Sequence, residues 1–211
     1  MSALSIAEAA QRIRAGELVA FPTETVWGLA ADARSASAVE RLLAWKGRAA
    51  GQPVSVLVSD YGALDRLGAA KTSLADRLAA TFWPGPLTLI VRCKRGGLAP
   101  GIAGADGSVG FRCSPHPVAS ALARAAGAIT ATSFNRSGGR PCETRAEAER
   151  CAGSEIALVA GEDAHGAAPS SVVDATGGAP RVLREGAISK RAIEAASHSS
   201  GSDPANLRIG Q

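Results

Sequence analysis

The sequence predicts a single α/β domain built on a mixed, twisted β-sheet flanked by helices. Three observations carry this. Short apolar runs of strand length alternate with segments of helical period, but not in the strict βα order of an all-parallel sheet. No internal repeat and no linker divides the chain. Its 211 residues are 46% apolar and 20% charged, an ordinary globular balance in a chain long enough for one sizeable core or two small ones.

Taken in order, residues 5–15 place Ile6, Ala9, Ala10 and Ile13 on one helical face, and Gly16 suits the stop. ELVAF (17–21) reads as a buried strand. A helix is expected over 38–46, opened by a capping box of Ser37 with Glu40, striped by Val39, Leu42 and Leu43, and ended by Gly47. PVSVLV (53–58) is the next strand, with short helices following over 60–67 and 73–82. WPGP (83–86) breaks the second of these, and LTLIVRC (87–93) is a strand. Residues 93–107 are glycine-rich with neither period and read as a loop. VGFRC (109–113) is a strand. Ser114 is expected to cap a helix over 115–126, with Pro115 in its first turn and Gly127 just past its end. AITAT (128–132) is a strand feeding SFNRSGG. Thr144 with Glu147 opens another short helix. Residues 156–160, 171–175 and 181–185 supply three more strands, and 188–196 a last helix. The domain is thus expected over 5–196, with 197–211 a polar tail.

The net charge of +4 is mild; it suits a protein that meets an anion such as a nucleotide or RNA without requiring one. No apolar run approaches the roughly 20 residues of a membrane helix. The first residues lack the basic-then-apolar pattern of a signal peptide, so the cytoplasm is the expected compartment and no membrane partner is expected. Cys93, Cys113, Cys142 and Cys151 form no CxxC pair, and of the three histidines only His116, three residues past Cys113, stands near one of them in sequence. No metal site and no disulfide framework is expected, and the cysteines read as free, partly buried thiols.

Four polar clusters stand where apolar strands end or begin: Pro22-Thr23-Glu24-Thr25; Lys46 with Arg48; Arg112; and TSFNRSGG (132–139). Ligands of α/β sheets bind at such strand ends, where hydroxyls and free amides can hold phosphate or carboxylate oxygens. An arginine there can grip a carboxylate through two parallel hydrogen bonds. Each cluster also has a plain reading. Lys46 and Arg48 could offset a helix dipole. Thr-Ser-x-Asn-x-Ser-Gly is common turn chemistry. PTET could be a strand exit with a local cap, and Arg112 half of an ion pair. Trp83 is expected in the core and His116 in a structural role; His165 and Glu162 lack a partner spacing. No GxSxG, Walker A lysine or HExxH is present. The residues by themselves support an anion-binding α/β protein.

Together and in order, the clusters resemble the YrdC-like family of threonylcarbamoyl-AMP synthases. FPTETVWGL resembles its Pro-Thr-[Asp/Glu]-Thr-x-aromatic-Gly-Leu motif, and LLAWKGRAAGQPVSVLV its Lys-x-Arg segment before a Pro and a strand. FWPGPLTLIV is similar to its Trp-Pro-Gly-Pro-x-Thr. VGFRCSPHPVASAL resembles Val-x-Arg-x-x-x-His-Pro, TSFNRSGG resembles Ser-Ala-Asn-x-Ser-Gly, and PSSVVDATGGAPRVLREGAI resembles Pro-Ser-x-x-Val-Asp followed by Arg-x-Gly. The resemblance runs from residue 5 to about 190.

The resemblance implies the YrdC-like fold, with the sheet and helices around a basic concave cleft. It implies that L-threonine and bicarbonate or carbon dioxide form N-carboxythreonine, which attacks the α-phosphorus of ATP and releases pyrophosphate. A tRNA-modifying threonylcarbamoyl transferase complex then uses the product; direct binding of tRNA and a need for Mg²⁺ are left open. Lys46 and Arg48 would clamp phosphate oxygens as the catalytic cations. Gln52, Ser133, Asn135, the turn through Pro141, and Arg184 would hold the nucleotide. Thr23, Thr25, Arg112, Ala131 and Ser170 would line the threonine pocket, Arg112 on the carboxylate. Three positions depart from the pattern: Phe134 for alanine, placing a ring beside the nucleotide; Gln52 for asparagine; and Leu57 where some members have a pocket histidine. These residues also contain no counterpart of the C-terminal domain of longer members. The alternative is a non-catalytic relative that binds double-stranded RNA in the basic concavity. A carbamoyl-transfer domain of hydrogenase maturation is set aside on length and cysteine spacing.

Overall fold

The computed structural model describes residues 3–48, 52–94, 97–163 and 168–198. Helix α1 (Ile6–Arg14) starts at a reciprocal cap, in which Ser5 Oγ accepts from Glu8 N and the Glu8 carboxylate accepts from Ser5 N. Strand β1 (Val19–Phe21) is followed by β2 (Gly28–Ala30), antiparallel to it with Phe21 opposite Gly28. Strand β2 carries no independent signature in the sequence, because its three residues are all buried and do not alternate. PTET is therefore the connection between two paired strands.

Helix α2 (Ala36–Lys46) begins two residues earlier than expected. Its N-cap is Ser35, whose Oγ accepts from Ala38 N, so the Ser37–Glu40 box does not form. Gly47 ends it in the left-handed region at φ 64°. Strand β3 (Val56–Leu57), helix α3 (Ala63–Arg66) and the short edge strand β4 (Ala69–Ala70), also unforeseen, lead to helix α4 (Ser73–Phe82). Strands β5 (Leu87–Cys93) and β6 (Ser108–Arg112) pair antiparallel. Helix α5 (Pro117–Ala126) takes His116, not Ser114, as its N-cap: Nδ1 accepts from Val118 N at 3.2 Å, and Pro117 fills the first turn. Then come β7 (Ile129–Thr130), β8 (Thr132–Ser133), helix α6 (Arg145–Ala152) behind the expected Thr144–Glu147 box, β9 (Ala157–Leu158), β10 (Ser171–Asp174), β11 (Arg181–Arg184) and helix α7 (Lys190–His198). Helix α7 runs through Ser197 and His198, which were expected in the tail; residues 199–211 of that tail, and His165, lie outside the described residues.

The strands form two mixed, hydrogen-bonded sheets, in the orders β8-β2-β1-β9 and β11-β10-β5-β6-β3-β7, with β4 on the edge of β5. The expected single strand 128–132 is what joins them. Its first half pairs with β3 and its second with β2, and between them Ala131 N donates to Ser55 O at 2.6 Å. A large core fills the space under both sheets, and a second cluster sits where α1 packs on α5. The hollow that matters opens where the strand changes sheet.

Candidate functional site

Strand periodicity builds the floor of this hollow. On β5, β6 and β10, Leu87, Leu89, Val91, Val109, Phe111 and Val173 point into the core. The alternate residues Thr88, Ile90, Ser108, Gly110, Arg112 and Val172 face a cavity of about 530 Å³. The register puts Thr88 opposite Arg112 and beside Val172. Gly110 keeps the floor low: a Cβ there would lie 2.9 Å from Ser55 Oγ and 3.1 Å from Thr88 Cγ2. Thr88, Gly110 and Ser55 were missed in the sequence. Their signal was the alternation of small or polar residues with large apolar ones on strands otherwise read as buried.

Thr23, Thr25, Arg112, Ala131 and Ser170 line this cavity, and so do Lys46, Arg48, Gln52, Ser133, Asn135, Pro141 and Arg184. The structure thus brings into one cavity every residue that the resemblance assigns to the threonine pocket or the nucleotide. At one end, Thr23 Oγ1 donates to Val26 O (2.7 Å) and accepts from Thr25 N (3.2 Å), which ties the β1–β2 connection into a turn. Thr25 is fully buried, and its Oγ1 accepts from Arg112 Nη2 at 2.9 Å. The same Nη2 donates to Glu24 Oε1 at 2.7 Å, so Arg112 is both half of an ion pair and part of the cavity wall. Arg112 Nε is buried with no partner among the described residues. An orphaned donor of this kind costs about 1–3 kcal/mol until an acceptor meets it. Nearby, Ser170 Oγ lies 3.0 Å from Thr88 Oγ1, and Ser170 O accepts from Arg184 Nε (3.1 Å) and Nη2 (2.7 Å).

At the other end, Lys46 closes helix α2 but is buried, and its Nζ donates to Ser133 O (2.6 Å), Asn135 O (2.9 Å) and Asn135 Oδ1 (3.4 Å). The Asn135 amide is fixed in turn: Oδ1 accepts from Ser133 Oγ (2.5 Å), and Nδ2 donates to Arg136 O and Gly139 O, both at 2.8 Å. Arg48 Nε donates to Gln52 Oε1 at 2.9 Å. Burial, and then the neighbouring Arg48 charge, pull the Lys46 ammonium down to about 8. Burial also lowers Arg48, and burial followed by the Arg112 charge lowers Arg184.

Phe134 does not stand beside the nucleotide end as expected. It is fully buried in the core, stacked on Trp45 with centroids 5.1 Å apart and planes at 20°. Strand β8 ends at Ser133, and in the bend that follows Ser133 and Asn135 line the cavity while Phe134 between them turns to the core, its N–H donating to Trp27 O at 2.7 Å. Leu57, at the position of the pocket histidine, is buried and lines the cavity with an apolar wall. The cysteines are free thiols, Cys113 and Cys142 buried, Cys93 and Cys151 partly so. No helix among the described residues is long and apolar enough to cross a membrane.

Two predictions arise here. Because Lys46 titrates near 8 in the folded chain, anion affinity at its end is expected to be level below that pH. Above it, affinity falls by at most about tenfold per unit. Nucleotide dissociation constants measured across pH 6.5–10 check this, and Lys46→Ala should lose the bend. Folding stability runs the other way. The unfolded lysine, near 10.5, binds more protons than the folded one, so wild type should gain stability relative to Lys46→Met between about pH 8 and 10.5. The second concerns Gly186, just past β11, where an added Cβ would overlap Pro169 O and lie 2.8 Å from Ser170 C. Gly186→Ala is expected to cost about 1–3 kcal/mol in urea denaturation and to loosen the Arg184–Ser170 contact.

Fold and site define a class: an α/β protein whose cleft offers cations at one end and hydroxyls with an ion-paired arginine at the other. The Sua5/YciO/YrdC family model, described as "Telomere recombination", matches residues 11–186, and the chain belongs to this family. It is 39% identical over 193 residues to the threonylcarbamoyl-AMP synthase of Bacillus subtilis, covering 90% of this chain and 56% of that protein. It is 38% identical over 178 residues to the threonylcarbamoyl-AMP synthase of Halorhodospira halophila, covering 82% of this chain and 92% of that protein. Among solved structures, P. abyssi Sua5 complexed with L-threonine matches with a TM-score of 0.85 at 34% identity, covering 90% of this chain and 56% of that one. The chain therefore spans little more than half of some relatives and nearly all of others.

Proposed function

We propose that the protein is an L-threonylcarbamoyladenylate synthase, making threonylcarbamoyl-AMP and pyrophosphate from L-threonine, bicarbonate or carbon dioxide, and ATP. The observation that carries this is the meeting of Lys46 and Arg48 with Thr25, Arg112 and Ser170 in one cavity. The names of the relatives and the threonine complex of a structural neighbour support it. A surface that gripped only RNA phosphates would not need a buried niche around Thr25, so the double-stranded RNA reading has less support.

In this reading, the threonine carboxylate meets the Arg112 guanidinium, and the threonine hydroxyl is matched among Thr23, Thr25 and Ser170. The floor of Thr88 and Gly110 and the wall of Ala131 and Leu57 give the side chain its shape. The threonine amine adds carbon dioxide with loss of a proton, or bicarbonate with loss of water, to give the carbamate, and a carbamate oxygen then attacks the α-phosphorus of ATP while pyrophosphate leaves. No protein nucleophile is required: the chain positions the two reactants and stabilises phosphate charge. Lys46 and Arg48 receive the phosphate oxygens, with Ser133, Asn135, Gln52, Pro141 and Arg184 around the nucleotide. The 3.4 Å contact to Asn135 Oδ1 is the weakest of the three bonds of Lys46 and the one a phosphate oxygen would replace. Mg²⁺ would be held by the oxygens of the triphosphate itself and would add to the stabilisation of phosphate charge. The product passes to a transferase that modifies adenosine in tRNA, which places the protein in the cytoplasm.

The purified protein with ATP and bicarbonate should release pyrophosphate far faster when L-threonine is added, with the mixed anhydride accumulating. Release indifferent to threonine overturns the proposal.

A further inference from the structure

The two ends of the cleft both bind anions in the proposed reading, yet they are built on opposite charge plans. At the phosphate end, Lys46 donates to neutral carbonyl oxygens and Arg48 to the neutral Gln52 amide, and neither has an ion pair among the described residues. At the amino-acid end, Arg112 is paired with Glu24 at 2.7 Å, with the side chains only 11% and 20% exposed, so solvent screens the pair weakly. Glu24 itself is absent from the cavity wall, although Thr23, Thr25 and Val26 on either side of it line that wall. Both its oxygens are engaged: Oε1 accepts from Arg112, and Oε2 accepts from Ser114 Oγ. Ser114 Oγ accepts in turn from His116 N, at the start of α5. The carboxylate is thus anchored to a helix on one side and aims the guanidinium on the other.

We infer that Glu24 is a specificity-determining residue that acts through Arg112. It cancels the charge of the guanidinium while fixing its direction, so that the niche accepts the carboxylate of a zwitterionic amino acid and refuses phosphate. An amino acid with no net charge loses little when the Arg112 charge is cancelled, because directed hydrogen bonds hold it; Arg184, the other cation at this end, already donates Nε and Nη2 to Ser170. A phosphate dianion depends on uncancelled cations and is left to the Lys46–Arg48 end. Glu24 thereby sorts two anionic ligands between the halves of one cavity. This rests on the threonine reading for the identity of the amino acid.

Calorimetric titration of wild type, Glu24→Gln and Ser114→Ala with L-threonine and with inorganic phosphate tests it. The Glu24→Gln amide can still accept from Arg112 and meet Ser114, so threonine affinity should stay within about threefold, while phosphate now competes and weakens apparent threonine affinity about tenfold or more. Wild-type threonine affinity should ignore excess phosphate. Ser114→Ala keeps the charge and loses the anchor: threonine should weaken several-fold with phosphate still excluded. Phosphate competing equally in wild type and Glu24→Gln, or entering Ser114→Ala, overturns the inference. If wild type binds no threonine, the functional reading fails instead. The inference is then read from phosphate alone, as a second phosphate site in Glu24→Gln that is lost in Glu24→Gln/Arg112→Gln; absence of that second site overturns it.

Discussion

Replacing Arg112 by alanine is expected to raise the threonine requirement by about 10- to 150-fold, while the KM for ATP moves less than about threefold. The range follows from the roughly 1.5–3 kcal/mol that hydrogen bonds to a charged partner contribute. Arg112 is the group at the amino-acid end with an unmet buried donor, and its Nη2 already binds Thr25, so its loss also frees the hydroxyl behind it. The substitution leaves Glu24 without its cation, which destabilises the fold separately. A companion Arg112→Ala/Glu24→Gln variant separates the two: melting temperature should recover in the double variant and threonine affinity should not. Equal losses for threonine and ATP would refute the assigned role.

Lys46→Ala should give the largest effect on turnover, a fall of about 10²–10³ in kcat, the usual size when one donor to developing charge is removed. Threonine binding measured without ATP should stay within about threefold. The ammonium also holds the carbonyls of Ser133 and Asn135, so part of the loss comes from the loop that carries the nucleotide contacts. Lys46→Arg should not restore activity, because a planar guanidinium cannot reproduce a compact ammonium aimed at three converging oxygens. A threonine dissociation constant that shifts as much as kcat does would refute the division of the cleft into two ends.

Much of the fold was legible because local rules were obeyed. The apolar face of residues 5–15, the Thr144–Glu147 box, Gly47 after α2 and the long apolar β5 all say what they are in a few residues. What was misread is of two kinds. Ser35 and His116 are local caps that prevailed over Ser37 and Ser114 only two residues away. The strands depended on partners elsewhere in the chain: β2 and β4 exist only by pairing, and strand 128–132 is divided because β3 and β2 claim different halves of it. Phe134 shows the same limit. A motif places it next to the nucleotide contacts, yet the bend after β8 turns it toward Trp45 and the core.

The sequence by itself determined which chemistry was available: two cations at the end of α2, hydroxyls at the turn after β1, and an arginine closing β6. Those are side-chain properties, fixed by residue identity and local order. That they face one cavity, and that Glu24 stands behind Arg112 rather than in the cavity, was decided by tertiary structure. The physical reason is that pleating, sheet crossing and helix anchoring set direction over separations of some 90 residues, and direction is what no local pattern encodes.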